Sequence, residues 1–436
     1  MPNFVHRIID LYRKSFSGLP RKVWLLALVM LVNRSGAMVV AFLSVYLISA
    51  QGYEPVKAGY VMAAFGTGGI VGNYVGGLLN DRFGSWHIML YSMIGAGLLN
   101  VALGQVSGFW PLCVLAFLIS LFADAFRPAN RAAIAIYTPP EKITQAFGLL
   151  RMAVNLGISI GPAVGGFFIF RYGFTLMFWM DGLTFLLAAV VFRFALPPDE
   201  TARPLLAKEA ADKQQPHSLD GHLITPPLRT RPAHRQPWLL LFALANTLII
   251  LCFFQLFNTM PVFMKESGFD EQQIGILLTI NGLLIVAVEM PMLYVMDRRY
   301  RPITVMIIGA ALIGGGYLLL PVGVTYYYFL VVVMLVTITF GEILYMPFTN
   351  TYVARHAPPA RRGEYLGLLS ASFSAGFVVG PLLGFSIAEH YGYGAAIYVC
   401  SGLAGVGALL LTTVNRLREQ NSAVAGPSLA ELDLQA

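Results

Sequence analysis

Charged side chains are scarce in this chain of 436 residues. Lys, Arg, Asp and Glu together make up 12% of it, which is about half of their share in soluble globular proteins. Apolar residues make up 57%, and a soluble domain could not bury so much apolar surface. The composition therefore excludes an ordinary soluble domain and predicts an all-α polytopic membrane protein.

Cysteine is almost absent, and two common catalytic motifs are missing. The three cysteines, Cys113, Cys252 and Cys400, all lie in apolar stretches, and their spacing fits neither a metal site nor a disulfide framework. The chain contains no P-loop and no His-Glu-x-x-His sequence. We therefore expect no enzymatic activity, no metal site and no cofactor.

Twelve apolar segments have the length of a membrane span. Turn residues or charges separate them, as in QGYEP, NDRFGS and RHAPPARRGE. The predicted spans, numbered one to twelve, cover roughly residues 23–49, 56–79, 87–105, 109–137, 146–170, 174–196, 238–261, 273–296, 303–321, 326–354, 364–388 and 394–415.

Basic residues lie mostly on one side of these spans. Even-numbered spans end beside Arg82, Lys142, Arg193, Arg298, Arg299, Arg301, Arg355, Arg361, Arg362, Arg416 and Arg418, whereas the other side has only Lys57, Arg171 and Lys265. The positive-inside rule then predicts that both termini are cytoplasmic, in a bacterial inner membrane. The net charge of +7 is thus interpreted as a topology signal, with no nucleic-acid partner.

The segments outside the spans are polar. Residues 1–21 mix charged and apolar residues without a small-residue cleavage site, which predicts an amphipathic cytoplasmic segment rather than a signal peptide. Residues 197–236 are rich in proline and polar residues and predict a cytoplasmic linker. Its three histidines are scattered, so they do not indicate a metal site. We expect six-helix bundles at 22–196 and 237–416, and a cytoplasmic tail at 417–436.

The two halves of the chain repeat each other. The stretch from Thr138 aligns without a gap to the stretch from Ala357, with eleven identities that include Gly157 with Gly376 and Pro162 with Pro381. Such a repeat predicts two six-helix bundles of the same topology, related by a pseudo-two-fold axis along the membrane normal. A substrate site is then expected between the halves near the middle of the membrane.

The loop between spans two and three carries a family motif. The sequence GGLLNDRFG resembles the Gly-x-x-x-Asp-Arg-x-Gly loop of the major facilitator superfamily through Gly77, Asp81, Arg82 and Gly84. With twelve spans and a central loop, the resemblance covers residues 22–416. It implies that Asp81 braces the loop against the other half in the outward-facing state. A simple charged turn is the alternative interpretation.

Span five carries a second motif, GISIGPAVGG. It is similar to the antiporter signature of drug exporters in the same family through Gly157, Gly161, Pro162, Gly165 and Gly166. Small residues four apart also allow two membrane helices to approach closely, so ordinary packing is the alternative. The second copy has Phe385 where the first has Gly166, and this difference favours the interpretation as an exporter.

Six ionisable residues within predicted spans are candidates for a transport pathway, because charge there is costly and often marks such a pathway. They are Arg34, Asp124, Arg127, Asp181, Glu289 and Glu342. A rise of about 1.5 Å per residue places Arg34, Asp124 and Glu342 roughly 15–20 Å deep, so Arg34 and Asp124 could pair.

The resemblance gives these six residues different roles. In the family, spans one, four, seven and ten line the cavity, which makes Arg34, Asp124, Arg127 and Glu342 cavity candidates. Glu289 is shallower, in the cytoplasmic half of span eight. Asp181 lies in a span that is peripheral in the family, so a structural hydrogen bond is its alternative role.

These residues predict alternating access coupled to protons. An acid in a dry cavity can take up and release a proton near neutral pH, so Asp124 or Glu342 is the expected carrier, with Arg34 or Arg127 as the counter-charge. Spans seven and ten also offer aromatic and amide side chains that suit an amphipathic organic molecule. These cavity candidates are Asn246, Phe253, Phe257, Asn258 and Tyr345.

The leading functional hypothesis is proton-coupled export of a drug or metabolite by a monomer in the lipid bilayer. The second is a proton-coupled uptake symporter for a small nutrient such as a peptide or organic ion. Span one is loosely similar to oligopeptide transporters through its arginine and a later Tyr-Leu, but Met30, Asn33 and Ser35 depart from their pattern. A receptor without transport activity is the third hypothesis, and the acids within the spans argue against it.

Overall fold

The computed structural model describes residues 18–36, 38–139, 142–196, 198, 232–326, 328–358 and 361–425. Regular structure in these residues is helical throughout. Most of the predicted N-terminal segment and linker, and the end of the tail, lie outside the described residues. The final helix continues beyond the predicted span to Ala425.

Twelve helical stretches correspond to the twelve predicted spans. They are α1 (Arg21–Ala50), α2 (Pro55–Phe83), α3 (Ser85–Leu103), α4 (Phe109–Tyr137), α5 (Ile143–Tyr172), α6 (Phe174–Ala195), α7 (Pro237–Glu266), α8 (Glu271–Arg299), α9 (Pro302–Thr325), α10 (Tyr328–His356), α11 (Arg362–Tyr391) and α12 (Tyr393–Ala425). Among the described residues, eleven helices are both long and apolar enough to cross a membrane.

The exception is α2, which is long enough at 29 residues but less apolar. Glycine replaces larger apolar residues along it because its backbone lies against α4. A Cβ at Gly68, Gly72 or Gly76 would overlap backbone atoms of Phe117, Leu121 and Ala125. Close approach of small-residue helices of this kind is common in membranes. The low hydropathy of α2 thus follows from close packing.

Single glycines form the tightest connections between helices. Gly84, Gly173 and Gly392 each stand alone between two helices, with φ values of 80°, 82° and 85°. This left-handed backbone favours glycine because it has no Cβ. Gly84 is therefore the turn glycine of the family-like loop. Gly77 lies inside α2, where an added Cβ would meet no heavy atom within 4 Å, so it does not form the turn.

The first helix of each sequence half is interrupted. In α1 the segments Arg21–Ser35 and Met38–Val45 are followed by a π-helical turn, Tyr46–Ala50. In α7 the segment Pro237–Phe253 gives way to a 3₁₀ turn and then to Thr259–Glu266. Pro261 contributes to the second break, because its ring lacks an N–H and clashes with a carbonyl four residues earlier.

Two compact units can be distinguished. Of the described residues, those within 1–52, 60–223 and 269–286 form unit 1, and those within 53–59, 224–268 and 287–436 form unit 2. Each unit is built mainly from one sequence half. However, the first part of α8 belongs to unit 1, and the start of α2 belongs to unit 2. The units therefore differ from the predicted bundle boundaries in these two segments.

The glycines of α5 serve two faces of that helix in unit 1. On one face, a Cβ at Gly157 would come within 2.6 Å of Arg34 Cβ, and a Cβ at Gly165 within 3.0 Å of Met38 Cβ, both on α1. On the other face, a Cβ at Gly166 would overlap the carbonyl oxygen of Glu271 on α8. Gly161 and Pro162 are buried between these contacts.

The second copy of the motif packs its glycines on one face of its helix. Gly376, Gly380 and Gly384 of α11 lie against α7 in unit 2. Phe385, the counterpart of Gly166, contacts Gly59 of α2, where a Cβ would stand 3.4 Å from Phe385 Cβ. The closer α5–α8 contact requires glycine at position 166, which accounts for the difference between the copies.

Candidate functional site

Asp124 is held by two arginines in the interior of unit 1. Its Oδ1 lies 2.8 Å from Nε of Arg127, one turn further along α4, and 3.9 Å from a terminal guanidinium nitrogen of Arg34 on α1. The side chains of Asp124 and Arg34 are 16% and 12% exposed, whereas that of Arg127 is 41% exposed. The three residues thus form a cluster that reaches from an exposed arginine to a nearly buried one.

Two glycines position this cluster by close approach. Gly157 brings α5 directly onto α1 beside Arg34, as described above. Gly69 brings α2 onto the acid itself, since a Cβ there would lie 2.5 Å from Oδ2 of Asp124 and 2.9 Å from Oγ of Ser120. The backbone of α5 thus lies against Arg34, and that of α2 lies against Asp124.

A third arginine, which sequence reasoning missed, belongs to the same cluster. Arg131 is exposed on α4, and its positive charge acts on Arg34 together with that of Arg127. Asp124, Arg127 and Arg131 are spaced i, i+3 and i+7, so they share one face of α4. This spacing was the available signal for Arg131.

Asp181 lies elsewhere and has a structural environment. It is 2% exposed, and its two carboxyl oxygens accept hydrogen bonds from the backbone N–H groups of Met38 and Val39, both at 3.3 Å. These N–H groups open the second segment of α1, where no preceding turn can pair them. Asp181 of α6 therefore caps the second segment of α1. Such a structural hydrogen bond is the alternative role stated for Asp181 above.

Asn246 and Tyr345, both expected in a cavity lining, are buried at a junction of three helices in unit 2. The Tyr345 hydroxyl donates to Oδ1 of Asn246 at 2.9 Å, and Nδ2 of Asn246 donates to Oγ of Ser372 at 2.9 Å. Both predicted residues are at most 1% exposed. These hydrogen bonds thus connect α7, α10 and α11, and they give the buried amide of Asn246 the partners that it needs.

The other predicted aromatic residues gather at the break in α7. Phe253 is buried and Phe257 is half-buried, and both rings contact Phe254. Phe254 in turn makes edge contacts with Phe373 and Phe377 of α11, which the sequence had not singled out. This aromatic cluster is partly exposed. Asn258 is buried beside it and donates to the carbonyl of Phe254 at 2.7 Å.

The remaining ionisable candidates lie in unit 2. Glu342 is half-buried in α10 and Glu289 is buried in α8. Neither is close to the arginine cluster in the sequence, and the structure places both in the other compact unit. In the loop motif, Arg82 is exposed, whereas the side chain of Asp81 lies outside the described residues.

Residues Gly157 to Gly161 also spell Gly-x-Ser-x-Gly, the pattern around the nucleophile of many hydrolases. That chemistry requires a sharp turn between a strand and a helix. Ser159 instead lies inside α5, is fully buried, and donates to the carbonyl of Asn155 at 2.6 Å. The pattern here is therefore part of a packed helix.

The fold and these motifs agree with a comparison against known families. Residues 23–363 and 340–431 match the family model of the Major Facilitator Superfamily. The chain belongs to the major facilitator superfamily. It is thus a multi-pass membrane protein of a transporter superfamily with an all-α fold.

Several curated members of this superfamily resemble the chain over most of its length. It is 26% identical over 379 residues to the uncharacterised MFS-type transporter YqjV of Bacillus subtilis, covering 85% of this chain and 87% of that protein. It is 24% identical to the Na⁺, Li⁺, K⁺/H⁺ antiporter of Planococcus maritimus, with coverages of 86% and 90%. It is 23% identical to the multidrug resistance protein MdtG of Escherichia coli, with coverages of 86% and 89%.

Solved structures support the same fold. A peptide transporter POT in complex with sulfate aligns with a TM-score of 0.76 at 17% identity, covering 92% of this chain and 95% of that one. The nucleoside transporter NupG aligns with a TM-score of 0.67 at 13% identity, with coverages of 90% and 98%. At this level of identity the likeness concerns the fold alone.

Proposed function

We propose that this member of the superfamily is a proton-coupled secondary transporter, working by alternating access, in which Asp124 binds the coupling proton. The observation that carries the proposal is the cluster of Asp124 with Arg127 and Arg34 in the interior of unit 1. Ionisable groups at such a depth cost free energy and are retained mainly where they serve transport.

Protonation would act on this cluster as a switch. With its charge, Asp124 holds Arg127 on its own helix and attracts Arg34 of α1. Without its charge, the described charged side chains of this cluster are the arginines, which repel each other. Proton binding therefore changes the interaction between α1 and α4. A local electrostatic change of this kind can bias a two-state conformational equilibrium.

The charge of the substrate decides the direction of coupling at such a site. A group that binds the carboxylate of Asp124 competes with the proton, which is the requirement for exchange. A group that binds the arginines instead removes the partners of Asp124 and so favours its protonation, which is the requirement for co-transport. Both cases follow from the reciprocity of linked binding equilibria.

The first candidate is export of a small amphipathic molecule by proton antiport in the bacterial inner membrane. It is supported by the glycine motif of α5 and by the names of two relatives, a cation/proton antiporter and a multidrug resistance protein. The second candidate is proton-coupled uptake of a small organic ion. The observation that favours it is the excess of arginines over acids around Asp124.

The proposal can be tested in proteoliposomes with an imposed pH gradient. The probes are ethidium as a cation, dialanine as a zwitterion and 4-phenylbutyrate as an anion. We expect that the pH gradient drives accumulation or loss of at least one probe, that Asp124→Asn abolishes the driven component, and that Glu342→Gln shows whether a second acid takes part.

The matched control for these variants is Glu54→Gln, which changes an exposed carboxylate at the start of α2. This variant should transport like the unchanged protein. If Asp124→Asn and Glu342→Gln both retain full gradient-driven transport, proton coupling through these acids is wrong. If gradient-driven transport survives only in Asp124→Asn, the carrier is Glu342 instead.

A further inference from the structure

The cluster around Asp124 has an excess of positive charge. Three arginines, Arg34, Arg127 and Arg131, act on one another electrostatically, and Asp124 is the acid among them. Within the described part of the chain, the ion pairs of this cluster are those of Asp124 with Arg34 and Arg127. Arg131 forms no ion pair with a described acid. Among the described side chains, one carboxylate thus lies with three guanidinium groups.

Arg34, and two residues adjacent in sequence to the arginines, have buried polar atoms without a hydrogen-bond partner in the described part of the chain. Among the buried side-chain atoms without a hydrogen-bond partner are Nε of Arg34, Nδ2 of Asn33 and both polar atoms of Asn130. Asn33 and Asn130 directly precede Arg34 and Arg131 in the chain and are 2% and 0% exposed. Three of these four atoms are donors. A buried polar group without a partner is costly, so such atoms commonly receive a ligand or water.

The arginines are also graded in exposure along the site. Arg131 is exposed, Arg127 is 41% exposed and Arg34 is 12% exposed. Arg131 is closest in sequence to Tyr137, where α4 ends. The exposed fraction of these side chains thus decreases from Arg131 to Arg34. Planar guanidinium groups bind carboxylate and phosphate oxygens in a forked geometry, which a lysine cannot provide.

We infer that Arg34, Arg127 and Arg131 bind an anionic group, a carboxylate or a phosphate, of the transported molecule. The inference rests on the proposed function in one respect, namely that this cluster belongs to the substrate site. The anion takes the guanidinium donors that Asp124 leaves unused. An amphipathic molecule with a negative head group is then the substrate class, and proton co-transport becomes the favoured coupling.

The inference makes Asp124 a competitor of the bound anion. An anion and the carboxylate of Asp124 compete for Arg127 and Arg34, and the other charged neighbour is Arg131. The contact from α2 is Gly69, which adds no charge. Removing the charge of Asp124 frees both arginines, so Asp124→Asn should bind the anion more tightly than the unchanged protein.

Binding to the purified full-length protein in detergent tests the inference without any transport. The probes are inorganic phosphate and three molecules with one apolar part, 4-phenylbutyrate, 4-phenylbutyl phosphate and 4-phenylbutylamine. Titration calorimetry and the thermal shift report binding at pH 7.5. We expect the anions to bind and the amine to bind at least tenfold more weakly.

Three variants complete the design. Arg131→Gln changes an exposed side chain and should fold, and we expect it to weaken anion binding about tenfold, the effect of losing one charge-assisted hydrogen bond. Asp124→Asn should bind anions more tightly than the unchanged protein, because the competing carboxylate is gone. Arg171→Gln removes an exposed arginine at the far end of α5 and should bind like the unchanged protein. Comparing the affinities of 4-phenylbutyrate and 4-phenylbutyl phosphate shows whether the site prefers a carboxylate or a phosphate.

The inference is overturned if no anion, phosphate included, binds, if the amine binds as well as the anions, or if Arg131→Gln leaves anion binding unchanged. Its failure is distinct from that of the proposed function. Arginine-dependent anion binding with gradient-driven transport intact in Asp124→Asn would refute the proton carrier and leave the anion site. If instead gradient-driven transport of the cation requires Asp124 and no anion binds, the anion site is refuted and the proton carrier stands.

Discussion

Asp181 illustrates how a buried acid in a membrane helix can serve packing. Its two oxygens complete the start of a helical segment that lies more than a hundred residues earlier in the chain. Thr184 and Gly36 close the same junction, since a Cβ at Gly36 would stand 3.0 Å from Oδ1 of Asp181. This combination of a cap and a close approach holds the interruption of α1 in place.

Replacing Asp181 should therefore affect stability before it affects coupling. We expect Asp181→Ala to lower the stability of the detergent-purified protein by about 1–3 kcal/mol, the cost of leaving buried donors unpaired. Asp181→Asn keeps one acceptor and should lose less. Thermal unfolding measures both. The exposed control Glu54→Ala should change stability by less than about 0.5 kcal/mol. An Asp181→Ala protein as stable as the control would contradict the capping role.

For single residues, the sequence predicted the depth of a side chain in the membrane better than the neighbours that the side chain contacts. Counting residues from the helix ends brought Arg34 and Asp124 to the same depth, and the structure places them 3.9 Å apart. The direction in which Asn246 and Tyr345 point could not be predicted in the same way. Both lie on helices that are apolar on all sides, so no polar face indicates which side chains meet a neighbouring helix.

Among the helices, α5 shows most clearly how glycine determines packing. Gly157 and Gly165 face α1, while Gly166 faces α8. The motif therefore combines two interfaces in one helix. Its resemblance to the antiporter signature and its role in packing are consequently two descriptions of the same residues.

An added methyl group on α5 should destabilise the protein where a glycine lies in one of these interfaces, and should not do so where the glycine lies elsewhere on the helix. We expect Gly166→Ala to destabilise the protein by about 1–3 kcal/mol, because the added Cβ overlaps the backbone of Glu271 and overpacking carries this cost. Gly148→Ala on the same helix meets no heavy atom within 4 Å. It should be neutral or stabilising by about 0.5–1 kcal/mol. Thermal unfolding of both variants measures the difference, and equal effects would contradict the close α5–α8 contact.

Helix breaks were the least predictable elements. Pro128, Pro162, Pro291, Pro347 and Pro381 all lie inside continuous helices, whereas the break in α7 falls just before Pro261. Proline thus does not by itself locate a break, because neighbouring helices can pair the freed backbone groups. The breaks in α1 and α7 depend on partners from α6 and α11, which are distant in the sequence.

For the whole molecule, twelve spans and the family were evident from hydropathy, the repeat and the loop motif. The sequence did not predict that the first part of α8 belongs to unit 1 and the start of α2 to unit 2, because this depends on which helix faces meet. Residues 269–286 pack with unit 1 through Gly275, which lies against the carbonyl oxygen of Pro162. Glu389 of unit 2 likewise accepts the N–H of Val56 at 2.9 Å, at the start of α2.

The orientation in the membrane is a prediction of the basic residues alone. We expect alkaline phosphatase, which is active only outside the cytoplasm, to be active when fused between α3 and α4, near Gln105. Fusions within residues 199–231 or at the C-terminus should be inactive and should fluoresce when made with a fluorescent protein instead. The opposite pattern would show that both termini lie outside, against the positive-inside rule.

The cap on α1 also has a consequence for biosynthesis. Asp181 follows Met38 by 143 residues, and at ~5–20 residues per second the ribosome needs roughly 7–29 s to reach it. During that interval the second segment of α1 lacks the acceptor that completes its first turn. The nascent helix must then wait, with water or lipid head groups as temporary partners, until α6 arrives. The second segment of α1 is thus completed only after α6 has been made.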